Sequence, residues 1–310
     1  MLRPGILHEK TGMTPYRFSL TIYFAQVGYK TRTSCILCFV AYLSKVDSQV
    51  SFTKRWCFMQ VLLTLSYDGT TYAGWQRQNN AVAIQQKLEE ALSDLFCTPI
   101  ITRAASRTDA GVHALGQCAT FFMDGLPIPI KKLPQVINGH LPSDISITNA
   151  EVVTDDFNPR FDAKYKTYTY NIYNAKVPNP LLARYSAFVP RILDTQIMNK
   201  AAALLVGYHD FAAFMATGSN TKTTTRQIYS CAVSKQPSGL VSITVTGNGF
   251  LYNMVRIIAG TLTYAGLGKL PYNAIPEIIQ SLDRRKAGKT MPPQGLTLIK
   301  VGYTTYSELE

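Results

Sequence analysis

The stretch "FDAKYKTYTYNIYN", Phe161–Asn174, decides the fold. Tyr168, Tyr170 and Ile172 fall on one side of an extended backbone and Thr167, Thr169, Asn171 and Tyr173 on the other, because successive strand side chains point to opposite faces. The polar run "DDFNPR" just before it interrupts the upstream pattern, so this strand opens a second unit with a boundary near Phe161 to Lys164. Aromatics on a strand face serve either as core or sheet-edge residues or as a surface on which an unpaired base stacks.

Upstream, Val61, Leu63, Leu65 and Tyr67 alternate with Leu62, Thr64 and Ser66, a strand that Asp68-Gly69 ends. Ile84, Leu88, Ala91, Leu92 and Leu95 recur at helical spacing up to about Phe96, with Asn80 as the expected N-cap. Strands are expected near Ile100 to Arg103 and Gln117 to Phe122, then a short helix around Lys132 to Asn138 and the strand "DISITNAEVV". Downstream, Asp194 caps a helix through Val206, "QIYSCAV" and "LVSITVT" form a hairpin across "KQPSG", and "FLYNMVRIIAGTL" makes a helix. A last helix near Ala274 to Leu282 precedes the closing strand "GLTLIKVGY". Strand, helix, strands, helix therefore occurs twice, without a sequence repeat, which reads as an α+β protein of two comparable halves, 59–162 and 163–310.

With 46% hydrophobic and 16% charged residues, the 310-residue chain has the composition of a globular protein with a full core. The net charge of +12 points to a polyanionic partner, since a basic surface concentrates and steers phosphates. Residues 1–58 hold eight Lys/Arg against Glu9 and Asp47, a net +6, and the other 252 residues carry the remaining +6. The apolar run "SCILCFVAYLS" in that segment is about half the length of a membrane span, and Arg32 and Lys45 bracket it. Residues 1–58 are expected to be an extension outside the folded enzyme, with translation starting at Met59, where a well-patterned strand begins at once; a targeting segment is the rival reading.

Cysteines scattered singly through the rest of the chain fit a reducing, cytoplasmic setting with no disulfide framework. Cys35 and Cys38 have C-x-x-C spacing, but no second pair follows at finger-like distance. No phosphate-binding loop, dinucleotide fingerprint, zinc-protease pair or nucleophile elbow occurs. The four histidines lack metal-ligand spacing, and His113 and His209 read as locally hydrogen-bonded residues. No metal or other cofactor is expected.

Carboxylate, arginine and aromatic residues remain. In "SRTDAGVHALGQ", Arg107 and Asp109 share one side of an extended backbone, so Asp109 is either a turn cap with an incidental ion pair or a carboxylate that the guanidinium keeps ionised for a substrate. Arg256 lies within "MVRIIAGTL", an otherwise apolar helix, and a buried arginine needs a partner because an unpaired buried charge is very costly.

"SRTDAGVHALGQ" resembles the signature of the tRNA pseudouridine synthase A family, whose catalytic aspartate sits in an R-T-D-x-G-V-H-A motif. "LSYDGTTYAGWQRQ", "FDAKYKTYTYNIYN", "LLVGYHDFAAF", "GNGFLYNMVRIIAGTL" and "PPQGLTLIKVGY" resemble the family's other blocks in the same order, from about Met59 to Tyr303. The resemblance implies two ferredoxin-like, RNA-recognition-like halves joined around a basic cleft, and a homodimer. Its substrate would be uridines at positions 38 to 40 of the tRNA anticodon arm. It makes Asp109 the catalytic residue, Arg107 the residue that fills the space of a flipped base or holds the backbone, and Tyr168 the ring that stacks on the uracil and assists proton removal from C5. Arg256 would pair with Asp109, and Leu296 would pack near the base. A non-catalytic RNA-binding protein of the same fold is the alternative. A metal-dependent nuclease built on Asp68, Asp109 and His113 is disfavoured, because no close carboxylate pair accompanies Asp109.

Overall fold

The structure, a computed structural model, describes residues 58–218 and 221–306. The readings of residues 1–57, including the Cys35/Cys38 pair and the apolar run after Arg32, lie outside the described residues. In chain order the elements are β1 (Phe58–Tyr67), α1 (Ile84–Phe96), β2 (Arg103–Ala104), β3 (His113–Asp124), α2 (Leu133–Asn138), β4 (Ile145–Val153) and β5 (Tyr165–Asn174), followed by β6 (Ala187–Val189), α3 (Thr195–Ala203), β7 (Gly207–Asp210), β8 (Thr225–Lys235), β9 (Leu240–Gly247), α4 (Met254–Gly266), α5 (Ile275–Ser281) and β10 (Leu296–Gly302).

All ten strands join one sheet in the order β4-β1-β3-β10-β5-β9-β8-β7, with β2 on β3 and β6 on β5. Its neighbours are antiparallel except β5–β6 and β3–β10. The β3–β10 contact is short, pairing Thr297 with His113 and Leu298 with Ala114, and it joins the strands of residues 58–153 to those of residues 165–302. Helices α3 and α4 pack on each other and on β8 and β5, while α2 packs on β4. The fold is thus α+β with a mainly antiparallel sheet.

Local differences from the sequence reading have physical causes. Leu62 and Gln60 of β1 are buried along with the alternate residues, and the Gln60 side-chain amide donates to the Phe157 carbonyl at 2.9 Å, so chain covers both faces there. Asn80 does not cap α1: the N–H groups of Ile84 and Gln85 donate to the carbonyls of Gly74 and Trp75 at 3.1 and 3.0 Å, so backbone replaces the side-chain cap. Residues 100–102 are not a strand, because Thr102 gives its N–H and hydroxyl to Glu89 of α1, and β2 begins only at Arg103. Asp194 does cap α3, accepting from the N–H groups of Gln196 and Ile197 at 3.0 Å. Helix α4 starts at Met254, four residues later than expected, because Asn253 adopts a left-handed conformation. Strands β6 and β7, of three and four residues, were too short for a periodic signal.

Candidate active site

The loop between β2 and β3 carries the "SRTDAGV" stretch, and strands β1, β3 and β5 together with the loop before α1 hold its backbone and side chains. The Thr108 carbonyl accepts from the Trp75 N–H at 3.0 Å, and its hydroxyl meets the Tyr67 hydroxyl at 2.8 Å. The Ser106 carbonyl accepts from the Gln117 amide at 2.8 Å, and the Ala105 carbonyl from the Lys166 ammonium at 2.7 Å. Gly74 runs so close beneath that a Cβ there would lie 2.5 Å from the Thr108 carbonyl oxygen. Gly111 turns the chain at φ 76° into β3. The segment that makes α1's backbone cap therefore also supports the motif loop.

This loop buries Thr108 and leaves Asp109 partly open, with 34% of its side chain exposed. Across the seam between β3 and β10, Arg256 reaches it from the first turn of α4: Nη1 lies 3.2 Å from Asp109 Oδ2. The Arg256 side chain is only 15% exposed, and two further acceptors hold its guanidinium, the Met291 carbonyl at 2.8 Å from Nε and Asn253 Oδ1 at 2.6 Å from Nη1. The Met291 N–H returns a bond to the Arg256 carbonyl at 3.2 Å. The charge inside this apolar helix is thus held through Nε and Nη1.

The expected pairing within the motif is not made. Arg107 is exposed and, among the described residues, has no ion pair or hydrogen bond; the Asp109 ion pair goes to Arg256 instead. The reason is rigidity, since Arg256 is held by neighbouring acceptors whereas Arg107 points from an exposed loop position. Both arginines do line one cavity of about 530 Å³, with Gln76, Gln78, Asp109 and Tyr252. That volume lies within the roughly 300–1,000 Å³ of small-ligand sites.

Tyr168 and Leu296 are buried, at 6% and 7% exposure, and do not line that cavity. The Tyr168 hydroxyl bonds the Ser106 hydroxyl at 2.9 Å, and its ring packs edge-on against Phe250 at 5.1 Å. Burial pushes the Tyr168 phenol up to about 12; the Ser106 bond works against the shift and the Asp109 charge adds to it. At neutral pH it is an uncharged aromatic wall. Leu296 opposes Tyr170 in the β10–β5 ladder, and the Tyr170 hydroxyl donates to the Pro292 carbonyl at 2.7 Å. Of the two readings of the β5 aromatics, Tyr165, Tyr168 and Tyr170 follow the core one, at 3%, 6% and 0% exposure.

His113 is buried, as expected of a core residue, but its bonds are not local: Nδ1 accepts from the Gly69 N–H, 44 residues away, and Nε2 faces the Arg184 carbonyl, 71 residues away, at 2.9 Å. It lines a different cavity, with Asp68 and Asp144 but without Asp109. Among the described residues no group of three or more His, Cys, Asp or Glu is arranged to hold a metal, so the nuclease constellation does not assemble. No described helix is long and apolar enough to cross a membrane. Sequence reasoning missed Asn253, Ser106 and the Met291 carbonyl. The first had a signal, an asparagine just ahead of an apolar helix; the others depend on contacts far apart in sequence.

A family model described as tRNA pseudouridine synthase matches residues 64–162 and 201–304. The tRNA pseudouridine synthase A of Ruminiclostridium cellulolyticum is 48% identical over 244 residues, covering 79% of this chain and 99% of that protein. The proteins of the same name from Thermoanaerobacter sp. and Geotalea uraniireducens are 45% and 46% identical, over 78% and 79% of this chain and 99% of theirs. With its motif loop, its Asp109–Arg256 pair and these relatives taken together, the chain belongs to the tRNA pseudouridine synthase A family.

Proposed function

We propose that this protein isomerises uridine to pseudouridine at positions 38 to 40 of the tRNA anticodon arm, with Asp109 as the catalytic carboxylate, and that it works as a cytoplasmic homodimer whose halves, 59–162 and 163–310, act together. The observation that carries the reading is the Asp109–Arg256 ion pair, formed across the sheet seam at a cavity of nucleotide size.

The reaction breaks the bond from uracil N1 to ribose C1′ and makes the bond from C5 to C1′; N1 gains a proton and C5 loses one. Nothing is oxidised, and since the C5 proton passes to solvent while N1 takes one from it, no co-reactant is consumed. The target nucleotide first leaves the stack, at a cost of a few kcal/mol that protein contacts offset. Arg107, exposed at the cavity rim, takes the nearest phosphate or fills the vacated space. Gln76 and Gln78 supply amide donors and acceptors for the edge of a neutral base. Asp109, held by Arg256, faces the sugar and base. Tyr168, protonated and wedged against Phe250, sets with Leu296 the apolar backing behind the motif loop. In this arrangement the phenol serves as packing surface more readily than as the base that takes the C5 proton, because burial keeps its proton on.

Tritium release from tRNA labelled at uracil C5 tests the assignment. Asp109→Ala and Asp109→Asn are expected to abolish release while binding tRNA normally; release that persists in Asp109→Ala would overturn it. A wild-type protein that binds tRNA without releasing tritium would establish the non-catalytic binding alternative.

A further inference from the structure

Asn253 stands at φ 60°, ψ 9°, in the left-handed region, at the entry to α4. Asparagine visits this region more readily than other residues with a Cβ, yet glycine is the default there. At a helix entry an asparagine normally gives its side-chain oxygen to an N–H of the first turn. Asn253 makes no such cap. Its Oδ1 accepts from Arg256 Nη1 at 2.6 Å, closer than either other acceptor on that guanidinium. One nitrogen, Nη1, therefore serves both Asn253 and Asp109, and its two hydrogens cannot satisfy both acceptors unless the guanidinium plane is fixed.

We infer that Asn253 is a positioning residue for catalysis: its left-handed turn aims a neutral carboxamide at Arg256, which fixes the guanidinium toward Asp109 and leaves Asp109 as its only carboxylate partner among the described residues. The inference rests on the reading of Asp109 as catalytic. Two features support it beyond distance. The residue gives up the helix cap its side chain could make, and among the described residues Cys97 and Leu282, the other non-glycine residues at positive φ, are helix C-caps, where left-handed geometry is common. An aspartate would tolerate the same turn and present the same oxygen, but it would put a second negative charge 2.6 Å from the guanidinium and compete with Asp109.

The test compares Asn253→Gly, which keeps the turn and removes the acceptor, with Asn253→Asp, which keeps turn and acceptor and adds charge. Asp109→Ala runs beside them, each protein assayed by single-turnover tritium release, tRNA affinity and thermal midpoint. Asn253→Gly is expected to lose about 10- to 100-fold in kcat, the size of a hydrogen bond to a charged group, with KM and tRNA affinity changed less than about threefold. Asn253→Asp is expected to fall at least as far. Wild-type kcat in Asn253→Gly, or in Asn253→Asp, would overturn the inference, as would a loss confined to KM or matched by a fall in thermal midpoint. An active Asp109→Ala would instead overturn the underlying reading; an inactive one beside an unaffected Asn253→Gly would overturn only the role of Asn253.

Discussion

Arg256 makes the clearest case that a side chain's chemistry depends on what holds it. Its fork meets a carboxylate, a carboxamide and a backbone carbonyl at once, a set that a lysine ammonium on a flexible stem cannot reproduce. Arg256→Lys should therefore lower kcat by about 10²-fold although the charge is kept, measured by single-turnover tritium release, with tRNA affinity little changed. Tyr168→Phe retains the ring and its contact with Phe250 and loses only the bond to Ser106. It should cost about 1 kcal/mol in denaturant unfolding and leave kcat within about tenfold of wild type. If the phenol were an essential base, the loss would be far larger. At this scale the sequence was partly readable. A lone arginine in "MVRIIAGTL" demanded a partner on electrostatic grounds alone, and Asp109 stands 3.2 Å from it. The two-residue spacing by itself pointed to Arg107 as the partner of Asp109, whereas the family resemblance pointed to Arg256; spacing says nothing about which guanidinium is held still.

Loops and strands, not single residues, keep the motif in place. Gly74 at φ 87° lies under the Thr108 carbonyl with no room for a Cβ. Gly74→Ala should destabilise the protein by about 1–3 kcal/mol and impair catalysis together, since the segment that must shift is bonded to the motif loop; circular dichroism melts and tritium release check it. Lys166 of β5 ties to the same loop through the Ala105 carbonyl, and burial pushes its ammonium down to about 8, with Arg160 and Arg226 adding to the shift. Between about pH 8 and the ordinary value of 10.5, the unfolded chain holds this proton and the native one does not, so the native state gains stability as pH rises through that window. The difference in thermal midpoint between Lys166→Met and wild type should be most favourable to the variant near pH 7 and shrink toward pH 10. The element boundaries divide along the same line. Strand β5 and the Asp194 cap followed from local periodicity and local hydrogen bonding. The true starts of α1 and α4 did not, because a backbone carbonyl at Gly74 and a left-handed Asn253 decide them.

Over the whole molecule, two sets of strands meet at two residue pairs of β3 and β10, and the site forms where they meet. Net charge outside residues 1–58 is only +6, so tRNA binding should lean on a limited number of phosphate contacts. Raising salt from about 50 to 200 mM should weaken binding with a log–log slope of about −0.7 to −0.9 per neutralised phosphate. The single-turnover rate at saturating tRNA should stay constant, because the Arg256 side chain is only 15% exposed and two further acceptors hold it toward Asp109. Arg107→Ala should reduce that slope by about one unit in filter binding while leaving the thermal midpoint unchanged, as suits an exposed side chain without a bond.

The sequence by itself determined the α+β class, most strands and helices, and the motif residues proposed to carry the chemistry, because alternation, helical spacing and motif residues are local properties of a chain. Tertiary structure alone decided that Arg107 stands clear of Asp109, the covering of Tyr168 by Phe250, and the use of the half-buried Asn253 as an acceptor for Arg256. The Asp109–Arg256 pair itself is a meeting of residues 147 positions apart, and only the joining of β3 to β10 brings them within a hydrogen bond.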